Sequence, residues 1–447
     1  MATPANTAIA YSNATDNIAI LKELYSDDSW VMKDLVFDKN PLLAILPKDE
    51  TEMGMGGKTF PIPVMYDTGA GRSAALGTAQ TYQTAPQTVE FQCTRVSNYS
   101  VATLTNDFLR ASSASIGAFM PAAELNVKSA FRNISNDLAH DIYGDGSGTR
   151  GSYGAGSGTG SISTGVITLD NLGMVYQFAV GMALVSFSVS GTTPTQSTSA
   201  AIGYVIAVDT SLGTVTVSAT QGGAAGTPTN WSTSFPYLAQ AGDVNFVSQG
   251  LSTTNMLKIA GLGAWCPSTS PGGSDNYFGV NRSVSPTKLA GLRVANGSSE
   301  SIQDALIDAV NQLAAQSSEA GDPDYIFVNP VSYQTLVKQL TSQANYVSIK
   351  HDEIDISFKA LVLPTANGEI AILQDRNCPA QTAYILTLKS WKLRSLGKVP
   401  QFLTFPGFYD QLGFPVPGSD AVELRVGYYA QLTCNAPGAN AVVTLQQ

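Results

Sequence analysis

The feature that most constrains the fold of this chain is a long block with almost no charge. From Gly151 to Leu257, 107 residues contain three charged side chains, Asp170, Asp209 and Asp243, and no Lys, Arg, Glu or His. The rest of the chain carries all 24 basic residues and 31 of the 34 acidic ones. A change of composition this abrupt indicates a unit that folds separately from the sequence around it.

Inside the block, the pattern predicts short strands. A Gly/Ser tract over residues 144–165 is followed by β-branched runs with turn residues between them. These runs are Gly165–Leu169, Val175–Val189, Ile202–Val208 and Thr214–Ser218. Asp209–Gly213 joins two of them at hairpin distance, and residues 241–243 form another turn signal. We therefore expect a small β-barrel or β-sandwich, inserted as a domain over residues 151–255.

The overall composition excludes several classes of protein. Apolar residues make up 44% and aromatic residues 9%, so the chain is not disordered as a whole. A net charge of −10 and a pI near 4.7 disfavour non-specific electrostatic binding to nucleic acid. No signal peptide is expected at the start, no run is long enough for a membrane helix, and four scattered cysteines favour a reducing cytosol.

Before the block, the sequence predicts an arm, a ribbon and a helix. Residues 1–50 read as a mildly amphipathic arm. Two strand-like runs, Lys58–Met65 and Thr88–Thr103, enclose a glycine-punctuated polar tip, and prolines in the first run favour an edge strand. An isolated ribbon of two strands is marginal in water, so we expect this one to lie on another surface.

The helix is predicted from Pro121 to a stop at Gly144. Apolar residues recur along it at helical spacing and form one stripe, Val127, Phe131, Ile134, Leu138 and Ile142. Glu124, Lys128 and Arg132 follow each other at i+4 on another face. His140 lies among Asp137 and Asp141, and we expect that side of the helix to be solvated.

After the block, helical and strand patterns alternate. A helix with Ile302 and Leu313 in its apolar stripe is expected to be capped by Ser298 or Ser299, and Asn329-Pro330 begins a helix through Leu340. The predicted strands are Asp324–Val328, Ala360–Leu363, Glu369–Leu373, Ala383–Leu388 and Ala421–Thr433. This part therefore reads as mixed α and β.

No motif in the sequence supports catalysis. Gly57-Lys58-Thr59 lacks the earlier glycine, strand and helix of a phosphate-binding loop, and Gly146, Gly148 and Gly151 match a dinucleotide pattern only inside a low-complexity tract after a helix. His140 and His351, the two histidines, have no Cys or His cluster around them, and residues 351–353 read as a polar turn. We expect no enzyme activity, no cofactor and no metal.

The order of these elements resembles the major capsid protein of tailed bacteriophages, the Hong Kong 97-like fold. The local matches are Gly144–Gly148 after the helix, Asp324–Pro330 with Tyr333 and Leu336, and Val422–Tyr428 near the end. The resemblance implies an α+β chain with the following parts: 1–50 N-terminal arm, 51–100 extended loop, 101–150 spine helix and peripheral domain, 151–255 inserted β domain, 256–299 continued peripheral domain, 300–415 axial domain, and 416–447 return strand.

By this resemblance, the chain would self-assemble as hexamers and pentamers in an icosahedral shell around double-stranded DNA. The inter-subunit contacts it implies are Lys58, Phe60, Arg72, Tyr82, Glu124 and Arg132. The implied partners are a portal, a scaffolding protein, a cement protein in some relatives, and packaged DNA bound without sequence specificity. The resemblance also implies that no membrane is involved and that the location is the virion capsid, assembled in the host cytoplasm.

Two departures from the family shape these expectations. Some relatives cross-link subunits through a lysine in the extended loop, but Lys58 lies at its base and the tip near Asp67–Gly77 holds Arg72 and no lysine. We expect no covalent cross-links. The arm is also too short for a fused scaffolding segment, so a separate scaffolding protein is expected. The alternatives are an encapsulin-like compartment shell and a β-rich surface adhesin.

Overall fold

The structure, a computed structural model, describes residues 40–50, 59–105, 120–155, 159–190, 193–195, 202–243, 257–273, 275–297, 300–316, 322–339, 346–351, 354–365, 368–403 and 413–445. Most of the predicted N-terminal arm and Lys58 lie outside these ranges. The domain boundaries given above stay predictions.

The described residues form helices and strands that we number in chain order. The helices are α1 Pro41–Ile45, α2 Leu76–Thr81, α3 Met120–Asp141, α4 Leu262–Trp265, α5 Pro286–Ala290, α6 Ile302–Ala315 and α7 Pro330–Gln339. The strands of the first half are β1 Lys48–Asp49, β2 Phe60–Asp67, β3 Gln87–Cys93, β4 Val96–Thr105, β5 Thr149–Ser152, β6 Ser161–Ser163, β7 Val166–Thr168, β8 Ala183–Ser190, β9 Thr193–Thr195, β10 Gly203–Asp209, β11 Thr214–Ser218 and β12 Tyr237–Gln240. The strands of the second half are β13 Leu292–Ala295, β14 Tyr325–Val328, β15 Tyr346–His351, β16 Ile354–Thr365, β17 Gly368–Gln374, β18 Thr382–Leu386, β19 Trp391–Ser395, β20 Gln401–Phe402, β21 Gly413–Pro415, β22 Ala421–Cys434 and β23 Ala441–Thr444.

One sheet is organised around β22, the long strand predicted near the C-terminus. Strand β4 pairs with it antiparallel from Ala421 opposite Thr105 to Ala430 opposite Val96. Strands β19, β20 and β21 share its other edge, and β1 adds to β19 in parallel. Strand β19 was not predicted from the sequence.

The helix α3 packs on this sheet and confirms the predicted spine. Its stripe residues Ile134, Leu138 and Ile142 are buried in one core with Val426 and Tyr428 of β22. The chain turns after Asp141, where the amide of Gly144 donates to the carbonyl of that residue at 3.0 Å. The periodicity therefore fixed the buried face correctly.

A second sheet, with the order β13-β23-β18-β14-β17-β16-β15, carries its own apolar core. This core contains residues of the predicted strands, among them Ile326, Ile372 and Ile385, and of the two predicted helices. Strands β15 and β23 of the same sheet were not predicted. The predicted cap of α6 is wrong: Ser301 is the cap, and its Oγ accepts from the amide of Asp304 at 3.1 Å. That position is favoured because the same hydroxyl also donates to the Asp304 carboxylate at 2.8 Å.

The predicted ribbon is present as β2 and β3, which form a two-stranded antiparallel sheet with Phe60 opposite Cys93. The predicted return strand Thr88–Thr103 is instead two strands in two sheets, because β3 pairs with β2 and β4 pairs with β22. At the break, the side-chain amide of Gln431 donates to the carbonyl of Thr94 at 2.9 Å. The base of the ribbon is thereby fixed to the sheet around β22.

The low-charge block forms an eight-stranded sheet of its own, from β5 to β12, which we call the insertion module. Its ends approach each other: the amide of Asp170 after β7 donates to the carbonyl of Ser152 in β5 at 2.9 Å. The sheet thus curls toward a barrel around one apolar core. The run Val175–Val189 is not one strand, because a 3₁₀ turn over Leu172–Gln177 and a left-handed Gly181 precede β8.

Candidate subunit-contact surfaces

The tip of the ribbon is a closed loop that holds a short helix away from any core. The amide of Thr84 donates to the carbonyl of Ala70 at 3.1 Å, and the amide of Ala70 donates to the Thr84 hydroxyl at 2.8 Å. A Cβ on Gly69 would lie 2.3 Å from the Thr84 carbonyl oxygen, so only glycine permits this closure. The tip is therefore a defined shape.

That defined tip exposes apolar side chains to an unusual degree. Helix α2 has no buried residue within its own chain, and Leu76 is 76% exposed. Tyr82, at the C-cap of α2, is 68% exposed, and Arg72 is exposed nearby. A six-residue helix with no packing is not stable in water by itself. The geometry suits a surface that a neighbour covers.

The base of the ribbon is packed within the chain. Phe60 is half-buried, and the guanidinium of Arg394 lies 3.8 Å from the centre of its ring. Phe91 is fully buried and meets the ring of Trp265 edge-on at 5.1 Å. Of the predicted contact residues in the ribbon, Arg72 and Tyr82 are therefore free to face outward, whereas Phe60 already has a partner.

Arg132 and Glu124 were predicted contacts on the spine helix. Arg132 is half-buried and lines a groove with Lys128, Phe131 and Phe402. The rings of Phe131 and Phe402 lie 6.0 Å apart. Glu124 falls within the span of α3, but its side chain lies outside the described residues, as Lys58 does.

The end of α3 corrects the expectation of a solvated face. His140 and Asp141 are buried, and Asp137 is nearly so. The two cations that flank the low-charge block explain this burial: Arg150 pairs with Asp137, and the Lys258 ammonium lies 2.7 Å from an Asp137 oxygen and 3.6 Å from Asp141. The carboxylates were misread as surface groups because their partners lie far along the chain.

The third aspartate of the block joins the same cluster. Asp243 lies 3.0 Å from the Lys258 ammonium and 3.5 Å from the Arg150 guanidinium. We call these five residues, Asp137, Asp141, Arg150, Asp243 and Lys258, the junction cluster. A Cβ on Gly148, which has a φ of +75°, would meet the Asp243 side chain at 3.1 Å. The absence of a side chain at Gly148 therefore allows the backbone that leads into the module to pass close to Asp243.

The charges of the junction cluster shift the ionisation of its members. Burial alone would raise the pKa of Asp137, but the charges of Arg150 and Lys258 outweigh burial and hold that pKa well below its usual range. Burial would lower the pKa of Lys258, and the surrounding carboxylates raise it instead. Burial raises the pKa of Asp243, and the nearby Asp137 charge adds to that rise.

The sequence contained a signal for this cluster that the sequence analysis did not use. Arg150 and Lys258 are the first charged residues on either side of the low-charge block. Both ends of an inserted domain meet at one place. The cations that stand just before and just after the block are therefore brought together there. The exposed Leu76 was not singled out either, since a lone leucine in a polar tip has no pattern around it.

No metal centre is found in the part of the chain that the structure describes. Within it, no group of three or more His, Cys, Asp or Glu side chains is placed to hold a metal ion. The four cysteines are buried and free. None of the helices in the described ranges is long and apolar enough to cross a membrane.

Comparisons with known proteins agree with this picture of a shell subunit. Residues 242–411 match the family model described as SU10 major capsid protein. The capsid protein of cyanophage A-1(L) superposes with a TM-score of 0.52 at 11% identity, covering 95% of this chain and 98% of that one. No curated protein matches the chain in sequence.

Two other solved structures align over similar lengths. The capsid of the Myoviridae phage XM1 has a TM-score of 0.45 at 8% identity and covers 95% of this chain and 98% of that one. The SrpI encapsulin of Synechococcus elongatus has a TM-score of 0.41 at 8% identity and covers 95% and 94%. The cyanophage superposition confirms the predicted mixed α+β capsid fold, and the family match confirms the resemblance to tailed-phage major capsid proteins and a structural role.

Proposed function

We propose that many copies of this chain assemble, as hexamers and pentamers, into the closed icosahedral head that encloses the double-stranded DNA of a tailed bacteriophage. The observation that carries this proposal is the ribbon tip, whose helix α2 buries nothing within its own chain. Repeated contacts between one surface and a different surface of the next copy generate rings and closed shells. The match of residues 242–411 to a major capsid protein family supports the same conclusion.

The ribbon tip would be covered by the neighbouring copy. The exposed side chains of Leu76 and Tyr82 would supply apolar and aromatic surface to the contact. The exposed guanidinium of Arg72 in the same tip would supply a hydrogen-bonding cation. Arg132 lies in the groove between α3 and Phe402, and this groove would form a second contact with a neighbouring copy. Lys58 and Glu124 stay predicted contacts.

The remaining partners are those that the resemblance to tailed-phage capsid proteins implies. A net charge of −10 keeps the subunit from gripping packaged DNA tightly, so contact with DNA on the inner face would be weak and independent of sequence. A separate scaffolding protein, a portal and, in some heads, a cement protein would complete the assembly. Assembly would take place in the host cytoplasm, and the product would be the virion capsid.

The test is assembly of the full chain, co-expressed with the scaffolding protein of the same phage, followed by negative-stain microscopy and size-exclusion chromatography. The variant Leu76→Asp places a charge in the proposed contact and is expected to reduce shell yield at least about tenfold, because a buried unpaired charge is strongly unfavourable. The matched control is Leu212→Asp on the insertion module, since Leu212 is 70% exposed and Leu76 is 76% exposed.

Both variants change the same residue type at nearly the same exposure, so a general effect of the added charge would appear in both. Normal shells from Leu76→Asp would contradict the proposed contact. Closed shells that contain protein cargo and no DNA after infection would favour the encapsulin-like alternative.

A further inference from the structure

The insertion module is joined to the rest of the chain by polar contacts. In the described residues its main apolar core, which includes Tyr153, Val205 and Leu238, is a cluster separate from the two large cores of the rest of the chain. At one side the Gln177 amide donates to the carbonyl of Arg376 at 2.9 Å. At the other side the junction cluster holds the module to α3. Charged and polar groups therefore form a large part of the attachment of the module.

The junction cluster is unbalanced in charge. Three carboxylates face two cations, so one negative charge is in excess at a place where no side chain of the cluster is more than 13% exposed. Both cations contact Asp137, and Asp243 shares the same two cations. Two carboxylates that share a site cannot both ionise freely, and the one with weaker contacts takes up a proton first.

Of the two carboxylates that contact both cations, Asp243 has the weaker contacts. Its Oδ2 is buried and has no hydrogen-bond donor, whereas Asp137 accepts from Arg150, Lys258 and the side-chain amide of Asn98. A buried charged oxygen without a donor is costly, and protonation removes that cost. The raised pKa of Asp243, caused first by burial and also by the Asp137 charge, agrees with this assignment.

Other titratable groups face the cluster. The imidazole of His140 lies 3.7 Å from Asp141, its Nδ1 has no hydrogen-bond partner, and it lines a cavity of about 200 Å³ between α3, the module and residues 377–380. The hydroxyl of Tyr428 donates to Asp141 at 3.3 Å.

We propose that the junction cluster is a proton-controlled latch: with Asp137 ionised and Asp243 protonated the cluster is balanced and clamps the insertion module to α3, and loss of the Asp243 proton loosens that clamp. A group that binds a proton more tightly in the docked state stabilises docking as the pH falls through its docked pKa. The latch therefore tightens as the pH falls toward the ordinary range of an aspartic acid, because the pKa of Asp243 lies above that range. It fails only in stronger acid, where Asp137 itself is protonated.

This proposal predicts opposite effects for two aspartates in one cluster. Asp243→Asn fixes the neutral form, so it should tighten the junction at pH 8 and remove the pH dependence. Asp137→Asn leaves Arg150 and Lys258 without their main partner and should loosen the junction at every pH, because removing one member of a buried ion pair leaves the other uncompensated. A cluster that only fills space would respond in the same direction to both changes.

Hydrogen exchange of the full chain tests the junction at the segment that follows Lys258, with correction for the intrinsic effect of pH on amide exchange. The probes are the amides of Leu262 and Gly263, which donate to the last carbonyls of the α3 turn, Ile142 at 2.7 Å and Tyr143 at 3.2 Å. We expect corrected exchange there to slow severalfold in the native chain as the pH falls from about 8 to about 4.5, toward the ordinary range of an aspartic acid. Asp243→Asn at pH 8 should match the native chain at the lower pH, and Asp137→Asn should exchange at least about tenfold faster than the native chain at both pH values.

Asp209→Asn is the control, since Asp209 is exposed on the same module and should change nothing at these amides. The amides of β10 and β11 report whether the module core stays folded. The Asp243→Asn and pH measurements do not require Asp137→Asn to fold. Faster exchange in Asp243→Asn, or a pH dependence that persists in it, would overturn the latch.

Discussion

The ribbon is attached to the sheet around β22 and the insertion module to the end of α3, and the two are stabilised in opposite ways. The module folds around its own apolar core and meets the body through charges, whereas the ribbon has two strands and an uncovered helix at its tip. One is a complete unit with an adjustable attachment. The other is an incomplete unit with a firm attachment, and in the proposed shell a neighbouring copy would complete it.

The firm attachment of the ribbon can be broken at Phe91. This ring is fully buried and packs edge-on against Trp265 at 5.1 Å and Tyr277 at 6.3 Å. Phe91→Ala should lower the free energy of unfolding of the subunit by about 3–5 kcal/mol, measured by denaturant titration. Met65→Ala, on the same ribbon but 61% exposed, is the control and should leave subunit stability unchanged. Equal effects would mean that the ribbon is not anchored at its base.

The independence of the module can be tested at Leu238, which is fully buried in its core. Leu238→Ala should cost about 2–5 kcal/mol, because it removes buried methyl groups and leaves a cavity. We expect calorimetry to show the loss in one transition, that of the module, while the transition of the other two sheets keeps its temperature. A uniform shift of all transitions would show that the module and the body unfold as one.

The closure of the module depends on Asp170. Its carboxylate accepts from the Ser152 hydroxyl at 2.7 Å and from the amides of Gly154, Ala155 and Gly160 at 2.6, 3.1 and 2.8 Å. Asp170→Asn should destabilise the module by about 1–2 kcal/mol, since the group is partly exposed and water screens part of the loss.

The same contacts set the pH dependence of this closure. Burial would raise the pKa of Asp170, but the hydrogen bonds from Ser152 and the three amides lower it overall. A lowered pKa means that the stabilisation is present above the ordinary Asp range and is lost as the pH falls below it. Thermal unfolding of the native chain and of Asp170→Asn should therefore converge in acid. A difference that stays constant down to about pH 2 would exclude this role.

Much of the fold could be predicted because its signals are local. The stripe from Ile134 to Ile142 repeats at helical spacing, so the buried face of α3 was correct. The strand before Asn329 and its capped helix were also correct, since the Asn329 side chain accepts from the amide of Val331 at 3.1 Å as expected of a cap. Strand β23 was missed because its four residues do not alternate and their burial comes from neighbouring strands. Strand β19 does alternate, but five residues are too short a run to stand out from the turns beside it.

The sequence by itself determined that residues in the low-charge block form a separate β unit, because composition and turn signals act within a few residues. It also determined the spine helix and the central strand β22, since periodicity is a local property. Only the tertiary structure decided the environment of Asp137, Asp141 and His140. Their partners, Arg150 and Lys258, stand on opposite sides of a 107-residue block, and the folding of that block brings the two cations to one helix end.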